Sequence, residues 1–410
     1  MANFRIYDGE ANNVATKVFG GKSSGIRDWD NIKYPSMLDF NKALFAEYWN
    51  EDEVKLGKDV EEYREKLTPR EREVYNIISG KLNWLDSIAT DFNFVLGYLC
   101  TDSSVRSVIS MIASFEQLHN RSYQYLTSTV LNQQEKEQAF EYTRRIPELV
   151  HRNEHVIKPI QEMVDAAKDY MLQMDSDGYK AYARDMFNLV QKFNKKEQTA
   201  ESHTKFIQDI IDLTYKYSVQ DRDIKISDEL LLTILKGIVG NIVLEGLYFS
   251  GGFVYFHSLA RDQKMIGSNN MISLIKTDEN MHSTFYGMLI QIIMKEEPQL
   301  ATKENYDYIM AYIKEAVARE KDWANYIFEG IDTLSIKEYH DYVEYLANLI
   351  CRNAGLEEPY PENQELKSKW IATYGSKKRT GGEDEIVTRT DFLQGNAINY
   401  THESGEDFDL

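Results

Sequence analysis

The stretch Glu116-Gln117-Leu118-His119-Asn120-Arg121-Ser122-Tyr123 decides how this chain is read. It lies within residues 107–130, a run without Gly or Pro that predicts a single helix. On a helix, Glu116 and His119 are i and i+3, and Tyr123 follows His119 by four residues. All three therefore project from one face over about two turns. A carboxylate and an imidazole offered side by side to a buried site form a metal-ligand pair. Taken alone, the same tetrapeptide is more often a solvated polar pair, so the rest of the chain has to decide.

Working outward, Thr68-Pro69 supplies an N-cap and a first-turn proline for a long helix reaching about Leu99. Ile77, Ile78, Leu82, Leu85, Ile88 and Ala89 mark its apolar side, and Asp86 sits among them. Further on, Ser227-Asp228-Glu229 caps a helix carrying Glu245 to about Arg261. Residues 268–294 form another, which holds a second Glu-x-x-His, Glu279 and His282. Asp86 precedes Glu116 by 30 positions and Glu245 precedes Glu279 by 34. In an antiparallel helix pair that separation brings both residues to one level, since the chain runs about 22 Å away and returns the same distance. Each half of the chain thus sets a lone carboxylate opposite a Glu-x-x-His, the repeating unit of dimetal carboxylate bundles. Four carboxylates and two imidazoles in one core would be prohibitively costly unless divalent cations neutralised them. The O/N donor set suits iron or manganese better than a thiolate metal.

Composition agrees. The 410 residues contain only 22 Gly and 7 Pro, in long segments rich in Leu, Ile, Tyr, Glu and Lys, as in a mostly helical protein. A net charge of −19 argues against a nucleic-acid surface. The two cysteines, Cys100 and Cys351, stand far apart, which excludes a disulfide framework and fits a reducing cytoplasm. The N-terminal residues have no apolar core of a signal peptide. Residues 238–256 are long and apolar enough to raise the question of a membrane span. Glu245 at their middle would cost about 2.5–3.5 kcal/mol or more in a bilayer. A central helix of a soluble bundle is the better reading. Gly251-Gly252 in the same helix implies a local distortion or a close helix approach.

With these residues in view, the chain resembles the small, radical-generating subunit of class I ribonucleotide reductase, over roughly residues 38–350. The resemblance is carried by LDSI around Asp86, FEQLHNRSY at 115–123, VLEGLYFSGGF at 243–253 and IKTDENMH at 275–282. It implies an all-α, ferritin-like di-metal carboxylate helical bundle over residues 34–358, preceded by an N-terminal arm at 1–33. It further implies that Asp86, Glu116 and His119 bind one metal and Glu245, Glu279 and His282 the other. Glu116 and a carboxylate of the second half would bridge. The metal pair would be iron, with manganese or a mixed pair as alternatives. Tyr123 would carry a tyrosyl radical formed with oxygen. Phe249 and Phe253, i+4 and i+8 from Glu245, together with Ile275 match the apolar pocket that shields the radical.

The resemblance extends to radical transfer. YWNEDEV at 48–54 matches the motif bearing the tryptophan of the transfer route, here Trp49. Asp278 matches the acid linking that indole to His119. In the tail, 359–410, Tyr400 is the candidate for the mobile tyrosine that passes the radical to the large subunit, with Tyr374 as the alternative. The terminal EDFDL would dock that subunit. The expected protein is a cytoplasmic homodimer and the beta subunit of ribonucleoside-diphosphate reductase, served by a flavodoxin-like activator if manganese is native. The interval between Glu116 and Glu245 exceeds the family's usual one, which implies an insertion at about 175–225. A stand-alone dimetal oxidase or oxygenase would share the six ligands but need neither Tyr123, Trp49 nor an acidic docking tail. An iron-storage cage would be shorter.

Overall fold

The computed structural model describes residues 9–172, 176–195, 199–218 and 226–376. Tyr400 and the EDFDL peptide lie outside the described residues. After an irregular segment the chain forms α1 (Ser36–Glu47) and α2 (Gly57–Glu65). Thr68 and Glu71 then make a reciprocal capping box, with Pro69 at the first position, and α3 (Pro69–Leu99) follows. Asp102 takes the N–H groups of Ser104 and Val105 and starts α4 (Ser103–Val130), which packs back along α3. An Asn132–Glu135 capping box opens α5 (Gln133–Arg145). Pro147 opens α6 (Pro147–Leu172) as its first residue.

Two helices, α7 (Ser176–Asn194) and α8 (Ala200–Ser218), pack against each other. They occupy the interval in which the sequence implies an insertion. The Phe193 and Phe206 rings stack between them at 4.0 Å, while Phe187, Ile207 and Ile211 remain exposed.

Ser227 caps α9 (Asp228–Val243), which runs through a π-helical turn at Leu244–Phe249 into α10 (Ser250–Arg261). This run has the length and hydropathy of a membrane span, yet 78 % of its most apolar stretch is buried inside the protein. It is the central helix of the bundle, packed on α6 and on α11 (Ile266–Glu296). The start of α11 is not capped locally: Gln263 and Met265 take left-handed backbone (φ 57° and 53°). Its first amides turn instead to α2, where Asp59 accepts from Gly267 at 3.0 Å and from Ser268, and Glu62 accepts from Met265 at 2.7 Å. The helices α12 (Lys303–Ile327), α13 (Ile336–Asn353) and the short α14 (Lys369–Tyr374) complete the described elements.

Both ends of the described chain lie on this bundle. The segment expected as an N-terminal arm buries Val18 and Phe19 and pairs with the α3–α4 turn, Thr101 donating to Val18 O at 2.7 Å. The beginning of the expected tail, up to Ser376, is also folded against the body. Asn348 binds the carbonyls of Tyr360 and Asn363, Ile371 is buried, and Asn269 and Ser273 of α11 hold the Tyr374 carbonyl, each at 2.9 Å.

Candidate dimetal centre

Long apolar faces force α3, α4, the π-turn helix and α11 together, and the six acidic and imidazole side chains meet where those faces meet. Asp86, Glu116, His119, Glu245, Glu279 and His282 are all completely buried. They fall into two overlapping groups, Asp86–Glu116–His119–Glu279 and Glu116–Glu245–Glu279–His282. Within each, one ligand atom per residue lies within 4.8 Å of the others. Glu116 and Glu279 belong to both. His119 Nδ1 is 3.0 Å from Glu279 Oε1 and 3.7 Å from Asp86 Oδ1. His282 Nδ1 is 2.8 Å from Glu116 Oε1 and 3.6 Å from Glu245 Oε2.

Those atoms are close without being aligned as hydrogen bonds. Both oxygens of Asp86, Glu116 and Glu279, Oε2 of Glu245, Nδ1 of His119 and both nitrogens of His282 are buried with no hydrogen-bond partner. Buried polar atoms are ordinarily satisfied, and so many orphans converging on one volume fit a pair of cations. Without cations, burial drives the carboxyls of Asp86 and Glu245 well above the usual range, reinforced by neighbouring carboxylates. Divalent cations would replace the protons those groups hold.

Metal uptake should therefore release acid and weaken as pH falls. Ferrous or manganous ion is expected to bind at two per chain and to raise the unfolding midpoint, by about 2.7 kcal/mol of stability per bound ion at a hundredfold excess over Kd. Calorimetric titration in two buffers of different protonation enthalpy, with thermal unfolding alongside, checks both.

The surroundings of the ligands are ordered. Asn241, one turn before Glu245, donates to its Oε1 at 2.9 Å. His119 Nε2 lies 3.0 Å from Asp278 Oδ2, and the same oxygen accepts the Trp49 indole N–H at 2.7 Å. The indole also stacks on the His119 ring at 6.3 Å. Trp49, Asp278 and His119 thus form one buried chain ending at the cluster. The imidazole's basicity is raised: burial opposes this, but Asp278 first, then Asp86, Glu116 and Glu279, outweigh it.

Tyr123 is completely buried and its hydroxyl has no hydrogen-bond partner among the described residues. Phe249, Phe253 and Ile275 are fully buried, and the two phenyl rings stack at 6.1 Å. The π turn alters the premise by which those phenylalanines share a face with Glu245. Its wider repeat spans Glu245 to Phe249, so a strict i+4 relation does not hold there. Tyr374 is the last residue of α14 and is fastened by its carbonyl to α11.

One buried cluster carries no sequence signal of the kind that marks the ligands. Arg152 of α6 and Glu320 of α12 form a fully buried ion pair. Arg152 also donates to the Tyr248 carbonyl, within the π turn, at 3.0 Å, and its guanidinium lies 3.7 Å over the Tyr248 ring. Tyr339 donates to Glu320 Oε1 at 2.5 Å. Lys81, completely buried beside them, has no hydrogen-bond partner, and burial together with Arg152 pulls its ammonium down to about 7. Gly251 and Gly252 make room for the cluster. A Cβ on Gly251 would sit 2.6 Å from Glu320 Oε1, and one on Gly252 2.9 Å from Lys81 Nζ.

A helical bundle that gathers two carboxylate–histidine groups around shared glutamates defines a dimetal carboxylate protein of the ferritin-like fold. The sequence model of the ribonucleotide reductase small chain matches residues 26–367, and the chain belongs to that family. It is 27 % identical to the ribonucleoside-diphosphate reductase subunit beta of Halalkalibacterium halodurans over 403 residues, covering 98 % of this chain and 96 % of the relative. The subunit beta of Treponema pallidum is 27 % identical over 399 residues, 96 % and 93 % of the two chains. Among solved structures, a putative class I ribonucleotide reductase from Bacillus halodurans superposes with a TM-score of 0.65 at 26 % identity. That match covers 83 % of this chain and 100 % of the other. The ribonucleotide reductase R2 subunit from Clostridium botulinum gives 0.70 at 23 %, covering 91 % and 98 %. The dimanganese(II) NrdF of Streptococcus sanguinis gives 0.61 at 16 %, covering 85 % and 98 %, a likeness of fold.

Proposed function

We propose that this small subunit uses oxygen to build a dimetal–tyrosyl cofactor and lends its oxidising equivalent to the large subunit, which reduces ribonucleotides. The observation that carries the reading is the unbroken contact chain from Trp49 through Asp278 to His119 and the ligand cluster, with Tyr123 buried on the same helix face as His119. A dimetal oxidase acting alone would have no use for an indole bonded to its metal-binding machinery.

Asp86, Glu116 and His119 would hold one metal and Glu245, Glu279 and His282 the other. Glu116 and Glu279 would bridge. When bound, the pair supplies oxygen activation and the oxidising power for Tyr123. We propose iron, with manganese or a mixed pair and a flavodoxin-like activator as the alternative. The chain's own residues do the rest. Phe249, Phe253 and Ile275, all fully buried, would close off an apolar surrounding for the radical. Asp278 holds a hydrogen-bonded path on which electron transfer from Trp49 can be matched by proton movement toward the His119 side. Tyr400 would continue the path, and the terminal acidic peptide would dock the large subunit.

The exposed face of α3, with Phe94 and Tyr98 56 % and 51 % exposed and Trp84, Ile88 and Val95 half-buried beside them, suits a second copy of this chain. A cytoplasmic location accords with two buried free cysteines.

Two variants test transfer apart from cofactor assembly. Trp49→Phe should keep the tyrosyl radical, read by electron paramagnetic resonance, while turnover with the large subunit falls to background. A chain ending at Ser376 should likewise keep its radical but lose turnover and affinity for the large subunit. Turnover of a small substrate by the truncated chain alone would favour the oxidase reading.

A further inference from the structure

The segment Glu279-Asn280-Met281-His282-Ser283-Thr284-Phe285-Tyr286 reproduces the spacing of residues 116–123: Glu, His three further on, Tyr four beyond that. Tyr286 therefore stands to His282 as Tyr123 stands to His119, one helical turn away on the ligand-bearing face. It is completely buried, like Tyr123. Burial and the cluster's carboxylates act on both phenols: Asp86, Glu279, Glu116 and Glu245 on Tyr123, Glu245 first and then Glu116 on Tyr286. Phe92 and Phe285 pack edge-on to the Tyr286 ring at 5.9 and 5.3 Å, an apolar wall of its own. By position, burial and surroundings, the site has two candidate redox tyrosines.

They differ at the hydroxyl. The Tyr123 oxygen has no hydrogen-bond partner among the described residues, and the field of the cluster's carboxylates acts on it. Tyr286 donates at 2.5 Å to Asn93 Oδ1. The Asn93 amide is fixed in that sense, because its Nδ2 donates to Ala89 O one turn back at 2.9 Å, leaving only the oxygen for Tyr286. One-electron oxidation of a tyrosine to a neutral radical removes an electron, which a bound metal pair with oxygen would take, and breaks the O–H bond, sending the proton to an acceptor. A carboxylate can take that proton. A carboxamide oxygen accepts the hydrogen bond but does not keep the proton.

We propose that Tyr286 is a second redox site beside the dimetal centre and that Asn93 holds it silent by occupying its hydroxyl with a non-basic acceptor, which confines oxidation to Tyr123. This rests on the reading of Tyr123 under Proposed function. With Asp at position 93 the balance closes: the Tyr286 electron goes to the oxidised metal pair, its proton to the new carboxylate, and a neutral phenoxyl remains.

The test compares electron paramagnetic resonance spectra after ferrous iron and air are added to the metal-free full-length chain. Tyr123→Phe should give no tyrosyl signal. Tyr123→Phe/Asn93→Asp should give one, and adding Tyr286→Phe should remove it. Because a buried Asp can disturb folding, Asn93→His in the Tyr123→Phe background offers a second basic acceptor, with the same signal expected. Bound metal per chain is measured for every variant. A tyrosyl signal from Tyr123→Phe alone would overturn the silencing. So would silent Asp and His variants that bind metal like the parent. A parent chain with no tyrosyl signal would instead remove the reading of Tyr123, and this inference with it, so the two failures are told apart.

Discussion

Tyr123→Phe is expected to abolish the tyrosyl signal and reduce turnover with the large subunit to background, while leaving metal content at two ions per chain. The stability change should be small, and the reason lies in the local geometry. A buried phenol normally loses a hydrogen bond of about 0.5–1.5 kcal/mol when its hydroxyl is deleted. The Tyr123 hydroxyl has no hydrogen-bond partner among the described residues to lose, so Phe fills the ring's place without leaving an orphan. The unfolding midpoint should stay close to that of the parent while the spectrum loses its radical. A structural tyrosine would show the reverse pattern, with a lower midpoint and no spectral change. A signal that persists in the variant would move the radical elsewhere and end the assignment.

The second large effect lies away from the metals. Glu320→Ala is expected to destabilise the protein by about 3–5 kcal/mol, the usual result of removing one partner of a buried ion pair. Arg152 would keep its full charge in a place without water, next to Lys81, and Tyr339 would lose its acceptor. Glu320→Gln keeps one acceptor oxygen, for Arg152, turns a donor NH2 toward the Tyr339 hydroxyl, and should cost less. Arg152 also holds the Tyr248 carbonyl in the same π turn that carries Glu245. The loss should therefore reach the centre unevenly, weakening the metal proposed to sit at Glu245 and His282 more than the one proposed at Asp86 and His119. Denaturant melts and stepwise metal titration of the two variants measure both effects. Equal weakening of the two metals would show that the ion pair serves the fold alone.

How much of this could be read from the residues depends on how local each feature is. The six clustered side chains were legible because helical spacing and the repeated Glu-x-x-His place them without knowledge of any distant contact. Trp49 and Asp278 were found by resemblance. Gly251-Gly252 announced a close approach, but what approaches is Glu320 and Lys81, contributed by α12 and α3, and no spacing connects those segments. Arg152 and Glu320 each stand in charge-rich helices, HRNEHV and AREKD, where an inward charge looks like any outward one. The π turn has no compositional mark, since it differs from α-helix by one shifted set of hydrogen bonds. The start of α11 is set by Asp59 and Glu62, some 200 positions upstream, a cap that only the tertiary fold supplies. The segments flanking the bundle lack periodicity and so read as loose, yet Phe19 and Ile371 are buried in it.

Because Glu116 and Glu279 each belong to both ligand groups, the two halves of the chain are mutually dependent. Neither half alone supplies all the side chains of either group. A chain nicked or misfolded on one side could not retain half a cofactor, since each cation would lose a donor supplied by the other side. Loading would then depend on both halves of the finished fold. Only a molecule with both halves in register could retain its pair of ions, and partly assembled subunits would be screened out before any oxidant was generated inside them.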